Sequence, residues 1–511
     1  MKKLLAIFLS VLMLTVCLPL GAVSVSAATY RDLTYTFSDG EVTITDCSSS
    51  ASGALTIPST INGYPVTTIG DYAFSDCYDL TSVTIPDSVT TIGDWAFSDC
   101  NSLTSVTIPD SVTIIGDDAF YYCNSLTSVT IPDSVTTIGD DAFRYCSSLT
   151  SVTIGDSVTT IGDGAFLYCY DLTSVTIPDS VTTIGFSAFY DCSSLTSVTI
   201  PNSVTTIRDR AFSSCDSLTS IQVDKNNPNY CDIEGVLFNK SKTTLVQYPG
   251  GKSGACAIPD SVTSIGDCAF FYCDSLTTVT IPNSVTTIGY SAFYDCSSLT
   301  TVTIPDSVTS IGDYAFYDCS SLTTVTIGDS VITIGYSAFY DCSSLTTVTI
   351  GDSVTTIGGS AFEDCSSLTS VTIGDSVTTI GDRAFYKCTS LTDVYYNGTE
   401  ADRANIAIGS DNTALTNATW HYITCNHVYD DAYDDTCNEC GEVREVPERP
   451  GDTNGDGAVN ARDLVLLQQF MAGWDVTFSF VAADVDGDGY VVARDVAMLQ
   501  QYVAGWDVTL G

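Results

Sequence analysis

Leu103–Cys123 reads LTSVTIPDSVTIIGDDAFYYC, and this unit recurs down most of the chain. Ser105-Val106-Thr107-Ile108 alternates with period two and is rich in β-branched residues, which predicts a strand with one buried face. Pro109-Asp110 ends it, because proline supplies no ladder donor. A second short strand holds Val112 and Ile115, Gly116-Asp117 turns the chain, and Ala119-Phe120 to Cys123 bring it back. The repeat phenylalanine falls at Phe74, Phe97, Phe120, Phe143, Phe166, Phe189 and Phe212. After one gap it returns at Phe270, Phe293, Phe316, Phe339, Phe362 and Phe385, with a spacing of 23 residues on both sides. The stretch AFYDCSSLTTVTI recurs verbatim from Ala292, Ala315 and Ala338. Self-similarity at such a period predicts a solenoid. Val106, Ile108, Val112, Ile115, Phe120, Cys123 and Leu126 are expected to point inward, each on its equivalent in the next coil about 4.8 Å away. A lone coil cannot bury that face, so stability lies in the interfaces between neighbours.

The pattern LTSVTIPDSVTTIGDxAFxxC resembles the leucine-rich repeats of the BspA-like family over about Leu55 to Val394. The resemblance implies a curved right-handed solenoid, secreted or surface-displayed, often linked to adhesion. One cysteine follows each repeat phenylalanine by three residues, from Cys77 to Cys215 and from Cys273 to Cys388. In a secreted chain such a row suggests disulfides. Stacked equivalent positions, however, hold their Cβ atoms parallel, which is poor bridging geometry. The reading preferred here is a ladder of inert thiols acting as small buried hydrophobes.

The remaining boundaries follow from breaks in this pattern. Lys2 and Lys3 precede an apolar run from Leu4 to Leu20, and Val25-Ser26-Ala27 offers a cleavage site, so residues 1–27 read as a signal peptide. An uncleaved anchor is the alternative, since the run approaches spanning length. Residues 28–57 form an N-terminal β cap and 58–220 the first solenoid block. Residues 221–257 form an insertion whose hairpin projects from the solenoid. The second block occupies 258–394 and a C-terminal cap 395–423. Residues 424–441 form a cysteine-rich knuckle, 442–450 a linker and 451–511 a final module.

The chain has 511 residues and a formal net charge of −44. That balance excludes phosphate neutralisation, hence nucleic acid, and disfavours an anionic membrane surface. The repeats offer two surfaces. Outward strand positions make hydroxyl rows (Ser105-x-Thr107, Ser128-x-Thr130, Thr301-x-Thr303, Thr324-x-Thr326). Tyr-Asp pairs after the phenylalanine (Tyr190-Asp191, Tyr294-Asp295, Tyr317-Asp318, Tyr340-Asp341) either hold a sugar or protein ligand or simply cover the turn. Glycoside cleavage needs two carboxylates in distinct environments, and here nearly every aspartate has many equivalents. No nucleophile elbow or phosphate loop is present.

Two stretches carry metal chemistry. Cys425-x-His427 and Cys437-x-x-Cys440 before Gly441 supply four ligands for a tetrahedral structural zinc site; a Cys437–Cys440 disulfide or redox pair fits the same spacing. The stronger signal is DTNGDGAVNARD, with calcium-loop positions at Asp452, Asn454, Asp456, Ala458 (through its carbonyl), Asn460 and Asp463, and Gly457 at the sharp turn. DVDGDGYVVARD repeats it 32 residues later with Asp484, Asp486, Asp488, Tyr490 (carbonyl) and Asp495. Val492 offers no side-chain oxygen, and water fills that place.

An amphipathic helix follows each loop, while Pro447 and Pro450 forbid one before the first. Two such loop–helix units resemble a type I dockerin over Gly451–Gly511. That resemblance implies two bound calcium ions and a cohesin module of a scaffoldin as partner, in a cellulosome-type assembly. The family's cohesin-selecting positions map to Ala461, Arg462, Gln468 and Gln469, and to Ala493, Arg494, Gln500 and Gln501. The two sets are identical, so either half can face the cohesin. The fold expected is mostly β, a leucine-rich-repeat solenoid followed by a small α module of two EF-hand-like units. The function expected is a secreted, non-enzymatic interaction protein held at the cell surface through a scaffoldin, its solenoid adhering to protein or polysaccharide. The alternative is a carbohydrate-active or carbohydrate-binding component.

Overall fold

The structure is a computed structural model. It describes residues 27–422 and, further on, 453, 459, 461–472, 483–485, 491 and 493–504. The signal-peptide stretch before Ala27, the Cys425–Cys440 zinc candidate and the linker lie outside the described residues. The chain divides into two compact units, one running to His421 and the other holding the C-terminal module.

The first unit is the expected solenoid. A coil contributes two short strands, such as Ser128–Thr130 and Thr137–Ile138. Each pairs in parallel with the same residues one repeat on, Val129 with Val152 and Ile138 with Ile161. Register is fixed because a one-residue slip would turn the valine and isoleucine outward. Val106, Ile108, Val112, Ile115, Phe120, Cys123 and Leu126 are all buried. Phenylalanine rings stack along the axis with centroids 4.6–5.5 Å apart. At the corners the backbones touch. A Cβ on Gly139 would lie 2.5 Å from the Gly116 carbonyl oxygen, so only glycine closes that corner.

The N-terminal cap is three antiparallel strands, Ala28–Tyr30, Leu33–Ser38 and Glu41–Cys47, the last of which continues in parallel into Tyr64–Ile69. The far end is closed by Thr419–Tyr422 on the strand Asp393–Tyr396. There Arg403 lies 4.5 Å over the Trp420 ring. Asn412, buried, donates to the Gly381 and Gly409 carbonyls and accepts from the Phe385 N–H.

The insertion differs from the projecting hairpin expected. Tyr230–Ile233 and Val236–Asn239 do form a hairpin, but Thr244–Gln247 adds to it and then pairs in parallel with Ser264–Ile265 of the next coil. The segment lies within the stack and starts a new sheet, as the N-terminal cap does. Leu237, Phe238 and Leu245 are buried, and an apolar hairpin cannot leave the core without exposing them. Buried Asn227 ties its start to the preceding coil, donating to the Pro201 and Val204 carbonyls.

In the second unit the helices Ala461–Met471 and Ala493–Val503 share a small core of Leu467, Ala483, Val485 and Leu499. Val459 and Val491 pack on it from equivalent places in the two halves.

Candidate docking module and solenoid surfaces

The two loops are built alike where the structure describes them. Asp463 and Asp495 occupy the last ligand position of each loop, in the first turn of the following helix, and both are fully buried. A carboxylate there is favoured by the helix dipole. The second residue of each loop reaches back to that aspartate. The Thr453 hydroxyl donates to the Asp463 carbonyl at 3.0 Å and lies 3.5 Å from its carboxylate. The Val485 N–H donates to the Asp495 carboxylate at 2.8 Å. These contacts close each loop onto its helix, and the calcium pattern alone did not flag Thr453 or Val485. The 32-residue equivalence of the halves was the signal that could have found them.

Asp484 lies beside this closure, partly buried. Asp452, Asn454, Asp456, Ala458, Asn460, Asp486, Asp488 and Tyr490 fall outside the described residues. Two wholly buried carboxylates at the closing position, in a chain of net charge −44, fit a hard cation held by oxygen ligands. Of the positions mapped to partner choice, Arg462, Gln468, Ala493, Arg494 and Gln500 are exposed, and Gln469 and Gln501 half-buried. Ala461 opens the first helix.

On the solenoid, two polar rows are used by the fold. The carboxylate of Asp94 accepts the Asp117 N–H at 2.9 Å, and that of Asp117 accepts the Asp140 N–H at 2.8 Å. Thr104 and Thr150 donate their hydroxyls to the carbonyl one coil back. The Ser-x-Thr rows are different: Ser105, Thr107, Ser128, Thr130, Thr301 and Thr303 are exposed. In the second block this face has an open concavity of about 490 Å³ bordered by Thr280, Asn283, Thr301, Thr303, Asp306 and Thr326.

The Tyr-Asp edge is a ladder. Tyr294, Tyr317 and Tyr340 stack at 4.6 Å with planes within 3°. The Tyr340 hydroxyl donates to the Asp364 carboxylate of the next coil at 3.2 Å. Burial together with Asp318 pushes the Asp295 carboxyl up to about 6, and burial with Asp216 pushes Asp191 to about 6. Cations of this edge sit on rings beside carboxylates. Arg383 is 4.5 Å over Tyr386 and 2.6 Å from buried Glu363, and Lys387 is 3.1 Å from Asp364.

The cysteine ladder has a more specific role than space filling. From Cys100 to Cys215 and from Cys296 to Cys388, each thiol donates to the carbonyl of the repeat phenylalanine one coil back, at 3.0–3.3 Å. Desolvation raises the pKa of Cys123, Cys146, Cys169 and Cys192, which keeps them protonated donors.

The BspA type leucine rich repeat region, in six copies, matches residues 67–194, 159–253, 252–365 and 310–433. The chain belongs to the BspA type leucine rich repeat family. Residues 450–504 match the type I dockerin domain, so the repeat region is joined to a C-terminal dockerin. Both are non-catalytic modules. A leucine rich cell surface protein of Faecalibacterium prausnitzii is 37% identical, over 75% of this chain and 97% of that one, with a TM-score of 0.61. A leucine-rich repeat protein of Eubacterium ventriosum is 28% identical, over 80% and 99%, at 0.56. One from Bacteroides ovatus is 29% identical, over 78% and 100%, at 0.52. No curated protein matches the chain.

Proposed function

We propose that this is an exported, non-enzymatic interaction protein whose dockerin attaches it to a cohesin of a scaffoldin in a calcium-dependent manner. The observation that carries this reading is the duplicated loop closure: a wholly buried aspartate at the end of each loop, tied to the loop's second residue. Calcium, when bound, neutralises the loop carboxylates and holds each loop rigid. Asp452, Asn454, Asp456, Ala458, Asn460 and Asp463 would hold one ion. Asp484, Asp486, Asp488, Tyr490 and Asp495 would hold the other. The two helices then offer equivalent faces, Ala461, Arg462, Gln468 and Gln469 or Ala493, Arg494, Gln500 and Gln501, to the cohesin. Zinc at Cys425, His427, Cys437 and Cys440 would stiffen the segment before the linker.

The solenoid presents the ligand surface, a protein or a polysaccharide at the exposed Ser-x-Thr face. The concavity bordered by Thr301 and Thr303 supports a ligand there. A carbohydrate-binding component of the same assembly is the second reading, supported by that hydroxyl lining.

The test is capture of the intact protein by a panel of cohesins in calcium and in chelator. Calcium-dependent capture supports the attachment; no capture by any cohesin refutes it. Retention on insoluble plant polysaccharide, lost when Thr301 and Thr303 become Asp, would favour the carbohydrate reading over a protein target.

A further inference from the structure

Solenoid starts occur twice in this chain, and the two differ in one residue slot. The strand Glu41–Cys47 places Ile44 beside Ile69. The strand Thr244–Gln247 places Leu245 beside Ile265. Ile69 and Ile265 are equivalent, each preceding the corner glycine of its coil. Ile44 therefore matches Leu245, and Cys47, three residues on, matches Tyr248.

Tyr248 covers the first phenylalanine of its block, its ring 4.9 Å from Phe270. Its carbonyl lies 3.8 Å from the Cys273 sulfur. In the first block the Cys47 carbonyl lies 4.0 Å from the Cys77 sulfur. The slot is thus the same, but it holds a second sulfur where the other start holds a ring.

The sulfurs of Cys47 and Cys77 converge. Both approach the Ser48 carbonyl, at 3.8 and 3.9 Å, and the Cys77 sulfur also approaches the backbone of Cys47 itself, at its carbonyl. Later ladder thiols reach a phenylalanine carbonyl at 3.0–3.3 Å, whereas no repeat coil precedes Cys77 to provide one. Cys296 and Cys319, and Cys342 and Cys365, are also neighbours from one coil to the next. Those pairs are related by coil translation, so their Cβ atoms run parallel about 4.8 Å apart, beyond the usual disulfide separation. Cys47 and Cys77 escape that constraint, because Cys47 belongs to the cap and not to the repeat.

We propose that Cys47 and Cys77 are a disulfide site that staples the N-terminal cap to the first coil. The inference rests on the export reading for the oxidising setting but not for its geometry. Bridging removes two protons and two electrons. A disulfide-bearing oxidant accepts them by exchange, so that R′S–SR′ and the two thiols give Cys47–S–S–Cys77 and two R′SH. Exchange occurs while the cap is open, since both sulfurs are buried once it closes. The bond closes the segment carrying Gly53–Thr56 and Tyr64–Ile69 and secures the end where a solenoid frays first.

The test is a cysteine map of the full chain unfolded, refolded in glutathione disulfide, alkylated in denaturant and digested. Trypsin has no site between Arg31 and Arg144, so a protease cutting before aspartate is used, with Asp71 and Asp76 separating the two cysteines. The expected product is a cross-linked peptide pair containing Cys47 and Cys77, with the other ladder cysteines alkylated. Both cysteines alkylated, or Cys77 joined to Cys100, would overturn the proposal. Amide exchange across 33–47 should slow about tenfold on oxidation, and not at all in Cys47→Ser; equal exchange in oxidised and reduced wild type also counts against it. Mapping the protein from culture medium separates the two readings. A bridge formed with glutathione disulfide but missing there would keep the site and overturn the oxidising setting, whereas absence of the protein from both medium and cell surface would sink the export reading.

Discussion

Truncating one ring in the middle of the phenylalanine stack should break the solenoid into two poorly coupled halves. Phe316 is fully buried. Its centroid lies 4.9 Å from Phe293 and 5.1 Å from Phe339, with the planes within 4°. Phe316→Ala loses the transferred ring and leaves a cavity, costing about 3–5 kcal/mol. It also removes two stacked pairs worth about 0.5–1.5 kcal/mol each beyond their area, which places the loss at the upper end, about 5 kcal/mol. In a quasi-one-dimensional array that loss falls on two adjacent interfaces instead of being shared across a globular core. Urea unfolding followed by far-UV circular dichroism, at constant calcium, should then become biphasic. Amide exchange in the coils around Phe293 and Phe339 should quicken by between about three and four orders of magnitude, at 1.4 kcal/mol per tenfold. The control is the neighbouring residue. Tyr317 sits in its own ladder, 4.6 Å from Tyr294 and Tyr340, but is only half-buried. Tyr317→Ala, losing two stacked pairs at a half-buried site, should cost about 1–3 kcal/mol and leave a single transition. If Phe316→Ala costs less than about 1.5 kcal/mol, or no more than Tyr317→Ala, the stack is not what couples the coils.

Three further outcomes are expected. Chelation should abolish cohesin capture; Asp463→Ala and Asp495→Ala should each weaken it and the double variant should eliminate it, as read by surface capture in excess calcium. The solenoid should gain stability on mild acidification: burial raises Asp118 to about 7 and Asp191 and Asp295 to about 6, above the unfolded carboxyl near 4. Protons are therefore bound more tightly in the folded state, and the contribution is full below about pH 4 and lost as pH rises through 6 to 7. The urea midpoint at pH 5.5 should exceed that at 7.5, and Asp295→Asn should reduce the difference. Iodoacetamide should label native Cys231, which is half-buried, well before any ladder thiol, and equal labelling rates by mass spectrometry would contradict the buried donor role.

The solenoid was legible because its period is exact in residue type as well as in length. With thirteen phenylalanines 23 apart on either side of one gap, the register of both sheets follows without reference to long-range contacts. The insertion was not legible in the same way. VLF and TLV in Val236–Phe238 and Thr244–Val246 read as a hairpin, and a hairpin inside a repeat array is ordinarily an excursion. Whether Thr244–Gln247 joins the stack depends on a parallel pairing with Ser264–Ile265, and local alternation carries no trace of the partner. A comparison with the first start would have disclosed it: in both segments a β-branched strand ends shortly before a second strand and the first corner glycine, Gly70 or Gly266.

The cysteines show a different limit. Their composition and spacing pointed to buried filler, and burial is what the structure shows. The sulfur–carbonyl contact at each coil depends on the repeat phenylalanine 26 residues earlier, not 23. An offset of one period plus three brings together two different columns of the ladder, which a reading made column by column does not compare. That offset also gives the first coil its exception, since Cys77 has no phenylalanine 26 residues before it and meets Cys47 instead. In the dockerin the same kind of cross-reference, from the second loop residue to the last, closes Thr453 on Asp463 and Val485 on Asp495. A hydroxyl serves in one half and a backbone N–H in the other. The contact recurs with different residue types in the two halves, and a motif written as residue types passes over it.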